Sequence, residues 1–221
     1  MIYITGDIHG DITRFSDKKL RKLKKNDCLI VCGDFGFIWD GSKKEESILK
    51  KLGKKRYNIL FVDGCHENFS LLNSYPESDW NGGKVHIISG RLMHLMRGNI
   101  YKIGDTRLLA FGGGQSDDAD LRKTANTWWK EEVPEQSEID YAKERLKSTG
   151  NIVDYIVTHE PPASLKDFLQ IDTEQKSEMG AYFDSLRTEC RFKRWFFGKC
   201  HMNKVIPPQY HAVFNDIIKI D

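Results

Sequence analysis

The sequence lacks any apolar run near the ~18 residues that read as a bilayer-spanning helix. Met1 is followed at once by Ile2-Tyr3-Ile4, with no basic segment or long apolar core of a secretion leader. The expected location is therefore the cytoplasm, with no membrane partner. A disulfide framework is missing too. The five cysteines (Cys28, Cys32, Cys65, Cys190 and Cys200) are odd in number and irregular in spacing, which favours free thiols. Cys28, Cys32 and Cys190 read as packing residues. Excess charge is absent: 34 basic and 32 acidic side chains leave a net +2, so bulk charge does not indicate a nucleic-acid binder. The basic stretches at 18–19, 24–25 and 50–56 read as solvated faces. With no repeat, low-complexity tract or Pro/Gly/Ser linker, one domain over 1–221 is expected. At 39% hydrophobic and 30% charged residues, the composition is globular rather than disordered.

Short runs rich in β-branched and aromatic residues supply the strands. They fall at 2–5, 28–32, 58–62, 85–88, 100–103, 107–111, 152–158, 194–197, 211–214 and 217–220. Helical spacing lies between the first three: Ile12, Phe15, Leu20 and Leu23, then Ile48, Leu49 and Leu52. Leu71 and Leu72 suit a short helix after Asn68. Ile139, Ala142 and Leu146 mark another, with Ser137 as the expected N-cap and Gly150 as a stop. The β-α-β-α-β start predicts parallel strands with crossover connections. The middle, near 84–111, reads as an antiparallel meander, and the strands after 194 also read as antiparallel. The stretch 112–138 reads as a long loop. The fold class is α/β: two packed mixed sheets with helices on the outer faces.

Five of the apolar runs end in an Asp or His cluster: Gly6-Asp7-Ile8-His9, Gly33-Asp34, Gly64-Cys65-His66-Glu67, His159-Glu160-Pro161 and Gly198-Lys199-Cys200-His201. Sites in α/β sheets form beyond the carboxyl ends of strands. Carboxylate oxygen and imidazole nitrogen suit first-row divalent metals. A single Gly-Asp after a strand reads as a turn; five such endings in one chain do not. Spacing alone puts Asp7 and His9 on one side of an extended chain.

In order and spacing these motifs, from residue 5 to residue 201, resemble the calcineurin-like metallophosphoesterases. The resemblance implies a four-layered α/β/β/α sandwich and one or two divalent ions (Mn, Fe, Zn or similar). It implies that Asp7, His9 and His201 hold a first metal, that Asp34 bridges, and that His159 ligates a second. His66 would assist the leaving group beside a phosphate, and the substrate would be a phosphorylated small molecule or a phosphodiester. Such cations neutralise phosphate oxygens and activate water for in-line attack.

Two positions depart from the family pattern. Cys65 stands where the family has Asn, and Lys199 where it has the first His of Gly-His-x-His. A thiolate can ligate zinc or iron, so Cys65 stays a candidate ligand. An ammonium has no lone pair, so Lys199 reads as a substrate-binding cation or as a lysine deprotonated by a metal. Three outcomes follow: one metal with Lys199 supplying charge, two metals, or a catalytically impaired relative that binds a phosphorylated ligand or a protein partner. Cys200 is expected to point into packing. Gly112-Gly113-Gly114 lacks the ending of a nucleotide P-loop. That turn could line the site, with Arg122 on substrate. Trp128 and Trp129 read as packing at the core edge, and Arg97 as an ion pair or a substrate contact.

Overall fold

A computed structural model of the protein describes residues 1–169 and 177–220. The amino-terminal half runs β1 (Ile2–Gly6), β2 (Cys28–Cys32), α1 (Lys43–Gly53), β3 (Asn58–Val62), α2 (Phe69–Leu72), β4 (Glu77–Trp80), β5 (Gly83–Ser89), β6 (Leu92–Leu95), β7 (Asn99–Ile103) and β8 (Thr106–Phe111). The remainder runs α3 (Ala119–Thr124), α4 (Gln136–Lys147), β9 (Tyr155–Thr158), α5 (Ala163–Leu169), α6 (Glu178–Glu189), β10 (Arg194–Phe197), β11 (Lys204–Ile206), β12 (Tyr210–Ala212) and β13 (Ile218–Ile220). One sheet has the order β13-β1-β2-β3-β6-β5-β4 and the other β11-β12-β10-β9-β8-β7. Both are mixed.

The period-2 alternation of strand side chains makes the layers. Ile2, Ile4, Ile30, Leu60 and Val62 of the first sheet share one buried cluster with Leu108, Ala110, Val157 and Phe196 of the second. That cluster is the core between the sheets. The intervening residues, Tyr3, Leu29, Val31, Ile59 and Phe61, pack instead with Leu49 and Leu52 of α1. On the far side Leu109, Phe111, Ile156, Trp195 and Phe197 pack with Ile139 and Ala142 of α4 and Phe183 of α6. Each inner strand is apolar on both faces because each sheet is covered twice. The result is the α/β/β/α sandwich. No helix among the described residues is long and apolar enough to cross a membrane.

Several expectations change. The stretch 12–23 forms two short 3-10 turns, Ile12–Ser16 and Leu20–Lys22, rather than an α-helix. Asp11 and Asp17 accept from the backbone N–H two residues on, at Thr13 and Lys19, and these local bonds compete with a continuous helix. Helix α4 is capped by Glu135 in a reciprocal box with Glu138, not by Ser137. The meander divides: β5 and β6 pair antiparallel, yet β6 lies parallel to β3, and β7 and β8 belong to the other sheet. The strands after 194 are not all antiparallel, since β10 pairs parallel with β12. The run at 152–158 forms a strand only from Tyr155, with Ile152 in a lone bridge to Arg191. The 112–138 stretch contains α3.

Candidate metal centre

Strands β1, β2 and β3 are parallel neighbours in one sheet, and β9 and β10 are parallel neighbours in the other. Their carboxyl ends meet at one rim, which places the five sequence clusters together. Asp7 and His9 converge there by a different route from strand alternation. Strand β1 ends at Gly6, and the backbone N–H groups of Ile8 and His9 both donate to the Asp34 carbonyl, at 3.0 and 2.9 Å. His9 (φ 46°), Asp34 (φ 44°), Lys199 (φ 58°) and His201 (φ 45°) all adopt the left-handed conformation. For residues with a Cβ this backbone is costly and clusters at functional sites. Two glycines permit the crowding. A Cβ on Gly33 (φ +89°) would sit 2.1 Å from His159 Nδ1, and one on Gly64 would sit 2.0 Å from Asp34 Oδ1.

Asp7, His9, Asp34 and His201 each offer a ligand atom, and these four atoms lie within 4.8 Å of one another. His9 Nε2 and His201 Nε2 are 3.0 Å apart, and His9 Nε2 is 3.7 Å from Asp34 Oδ2. The set fits a divalent cation on its own chemistry. Asp7 Oδ2 is buried with no hydrogen-bond partner, while Oδ1 accepts from the Lys199 N–H at 3.0 Å. Burial pushes the Asp7 carboxyl up to about 6, against the opposing effect of His159. A cation would relieve that cost. Burial also pushes Asp34 up, but His159 and the His66 side-chain hydrogen bond outweigh it and hold the carboxyl well below its ordinary range. Asp34 accepts from the His66 backbone N–H (2.9 Å) and faces His66 Nδ1 (3.0 Å). That side-chain hydrogen bond raises the His66 imidazole pKa, with burial opposing.

The second group of candidates lies beside the first. His159 is fully buried, and its Nδ1 lies 3.1 Å from the Cys32 carbonyl. A carbonyl only accepts, so Nδ1 is the ring nitrogen that donates there, and Nε2 is the one turned to the candidate site. Nε2 is 3.5 Å from Asp34 Oδ1 and 3.5 Å from Cys65 Sγ. Burial pushes the Cys65 thiol pKa well up, so the free sulfur is a neutral thiol. Lys199 Nζ reaches to 4.0 Å from this sulfur. It also donates to the Gln115 carbonyl and lies 2.9 Å from Glu160 Oε1. Burial disfavours the ammonium, yet the Cys65 sulfur and Glu160 outweigh it and the Lys199 pKa rises. Glu160 is the main support, because a neutral thiol gives little electrostatic help. Glu160 is itself buried and also pairs with Lys166 at 2.6 Å. Burial raises its carboxyl, but the two lysines hold it at about 2. The sequence motif gives Glu160 no role of its own; a carboxylate next to His159 in a chain with a lysine at position 199 is the signal that points to it.

Arg122 is buried and its donors are engaged: Nη1 on the Cys65 carbonyl (2.9 Å) and Glu132 (3.1 Å), Nε and Nη2 on the Thr127 carbonyl. It pins the Cys65–His66 turn from behind. The glycine-rich turn spends its N–H groups inside the protein: Gly113 on the Asp63 carbonyl, Gly114 on the Glu132 carbonyl, Gln115 on Glu160. Arg97 pairs with Asp63 (2.6 Å) and Glu138 (2.9 Å). Trp129 packs edge-on against Trp39 and joins the outer core of the first sheet, while Trp128 lies under the Lys123 ammonium. Cys200 packs against the second sheet's outer core. Asp118, at the end of the glycine-rich turn and given no role by the sequence, lies 3.3 Å from His66 Nε2.

A two-sheet sandwich that pools Asp and His side chains at one rim defines a metallophosphoesterase-type architecture. The chain belongs to the calcineurin-like phosphoesterase family, whose model matches residues 1–198. The matched span stops just before Lys199 and His201, so those two positions rest on the geometry above. No curated protein matches the chain.

Proposed function

We propose that the protein hydrolyses phosphate esters, mono- or diesters, with one divalent cation (Mn, Fe, Zn or similar) held by Asp7, His9, Asp34 and His201. The observation that carries this reading is the convergence of four ligand atoms within 4.8 Å. Bound there, the cation would supply Lewis-acid stabilisation of phosphoryl oxygens and a hydroxide nucleophile near neutral pH. Asp34 fixes the His66 ring through Nδ1, so Nε2 is the atom that gives a proton to the departing alkoxide. Lys199, held beside Cys65 and His159 by Glu160, serves as a fixed positive charge for a phosphate oxygen where a second cation would otherwise bind. Cys65 and His159 then line the phosphate pocket rather than ligate a second ion. Arg122 acts as a positioning residue through the Cys65 carbonyl.

The test is metal content per chain measured beside turnover of 4-nitrophenyl phosphate and bis(4-nitrophenyl) phosphate. A single bound ion is expected, with turnover of one ester class that falls by roughly 100-fold or more in His66→Ala. Cys65→Asn combined with Lys199→His is expected to add a second ion. Metal-loaded protein that turns over neither ester yet binds 4-nitrobenzylphosphonate would favour a catalytically impaired, ligand-binding protein. The Lys199–Glu160 ion pair at the second position is the observation behind that second reading.

A further inference from the structure

His66 has a carboxylate on each side. Nδ1 faces Asp34 at 3.0 Å, and Nε2 faces Asp118 Oδ1 at 3.3 Å. The second contact is not explained by the metal cluster, because Asp118 belongs to neither candidate ligand group. Nor is it explained by helix capping. Asp118 precedes the first residue of α3, where an Asp side chain ordinarily accepts from the first-turn N–H groups, but its carboxylate forms no cap hydrogen bond. Its Oδ1 is enclosed yet has no well-aligned hydrogen-bond partner, and lies 4.0 Å from Arg122 Nη1. The side chain as a whole is 44% exposed. Asp118 therefore presents a partly exposed carboxylate at the mouth of the site, with its enclosed Oδ1 turned to the outward nitrogen of His66.

We infer that Asp118 is a specificity-determining residue that selects the leaving group of the substrate. The inference rests on the proposed role of His66. If Nε2 protonates the leaving oxygen, the atoms attached to that oxygen come to rest beside Asp118. A carboxylate there repels a leaving group that carries a second negative charge, such as another phosphate or a carboxylate. It attracts one that offers a hydrogen-bond donor, a hydroxyl or an ammonium, to the solvent-exposed side of the carboxylate. The substrate class this defines is a phosphate ester of a polyhydroxyl or amino alcohol with no further anionic group near the ester oxygen. Lys199 and the metal ligands, on the other side of His66, would select for the phosphoryl group itself, so the site has a cationic and an anionic half.

The experiment separates this inference from the hydrolase reading by measuring binding as well as turnover. Benzylphosphonates bearing a 3-aminomethyl, 3-hydroxymethyl or 3-carboxylate group are titrated into metal-loaded protein by calorimetry. The corresponding aryl phosphates and aryl methyl phosphates are assayed in parallel. Wild type is expected to favour the aminomethyl over the carboxylate compound by roughly tenfold or more, the scale of a charge contact a few Å away in a partly solvated site. Asp118→Asn should shrink that ratio to near unity, and Asp118→Lys should invert it. An unchanged ratio in both variants overturns the inference. A preference that shrinks in Asp118→Asn without any turnover leaves the selection standing and overturns the hydrolase reading. Turnover with no charge preference does the reverse, and failure of every analogue to bind overturns both. Thermal melts of the variants show whether they are folded.

Discussion

The Nε2 atoms of His9 and His201 face each other at 3.0 Å although 192 positions separate them in the chain. One nitrogen comes from the turn after β1 and the other from the turn after β10, each on a residue with left-handed backbone. Two imidazole nitrogens so close, with Asp7 and Asp34 alongside, form a basin of lone pairs and negative charge.

Metal content should depend on all four members of that basin. His201→Ala and Asp7→Ala are each expected to weaken divalent-metal binding by roughly 100-fold or more, beyond the usual effect of losing only a residue that orients a ligand. Dialysis against a metal buffer followed by elemental analysis reads this directly. Retention of wild-type affinity in either variant would remove that residue from the site.

The close approach at Gly33 predicts a large effect from one methyl group. Gly33→Ala places a Cβ 2.1 Å from His159 Nδ1 at a φ of +89°. The expected loss is more than about 2 kcal/mol of stability, since both the backbone and a fully buried ring must move. Chemical denaturation measures it; a change under about 0.5 kcal/mol, the surface-substitution range, would contradict the geometry.

Arg122 is tied to stability as well as to the site. Arg122→Ala leaves the buried Glu132 carboxylate without its partner guanidinium and frees the Cys65 carbonyl. Breaking a buried pair from one side costs about 3–5 kcal/mol. Arg122→Lys should recover little of this, because one ammonium cannot serve Cys65, Thr127 and Glu132 together. Equal melting temperatures for Arg122→Lys and wild type would argue against the pinning role.

His86 and His94 stack in the core with their Nδ1 atoms 3.0 Å apart, and His94 Nε2 lies 3.0 Å from Asp63. Burial, then the neighbouring His94, lowers His86 to about 4 from an ordinary 6.5. Between those values the unfolded chain binds the extra proton, so the stability His86 contributes is complete above pH 6.5 and is lost as pH falls toward 4. The contribution is at most about 3 kcal/mol. Denaturant midpoints at pH 7 and pH 4.5 should converge more in His86→Gln than in wild type. Parallel pH dependence in the two proteins would refute this.

Much of the fold is legible in the sequence. The runs at 28–32, 58–62 and 194–197 match β2, β3 and β10, because an inner strand covered on both faces is a short, dense apolar run. Strand β4 escaped notice because Glu77-Ser78-Asp79-Trp80 is mostly exposed at a sheet edge and bears no apolar signature. The helix expected from Ile12, Phe15, Leu20 and Leu23 failed for a complementary reason. Phe15, Leu20 and Leu23 are buried as their spacing suggests, but Asp11 and Asp17 divert the backbone into 3-10 turns.

For the site, position and residue chemistry marked five Asp/His clusters after apolar strands, and the family resemblance picked Asp7, His9, Asp34, Cys65, His66, His159, Lys199 and His201 out of them. The sequence by itself determined that Asp and His side chains collect at strand ends, since strand and turn composition are local properties. Only the tertiary structure decided which of them meet: four in one ligand basin, with Cys65 and His159 beside a lysine. It also decided that Lys199 is locked to Glu160 and that Arg122 faces inward to a carbonyl. Those relations depend on the packing of two sheets whose contributing residues lie up to nearly two hundred positions apart, and no local pattern encodes a distance across that gap.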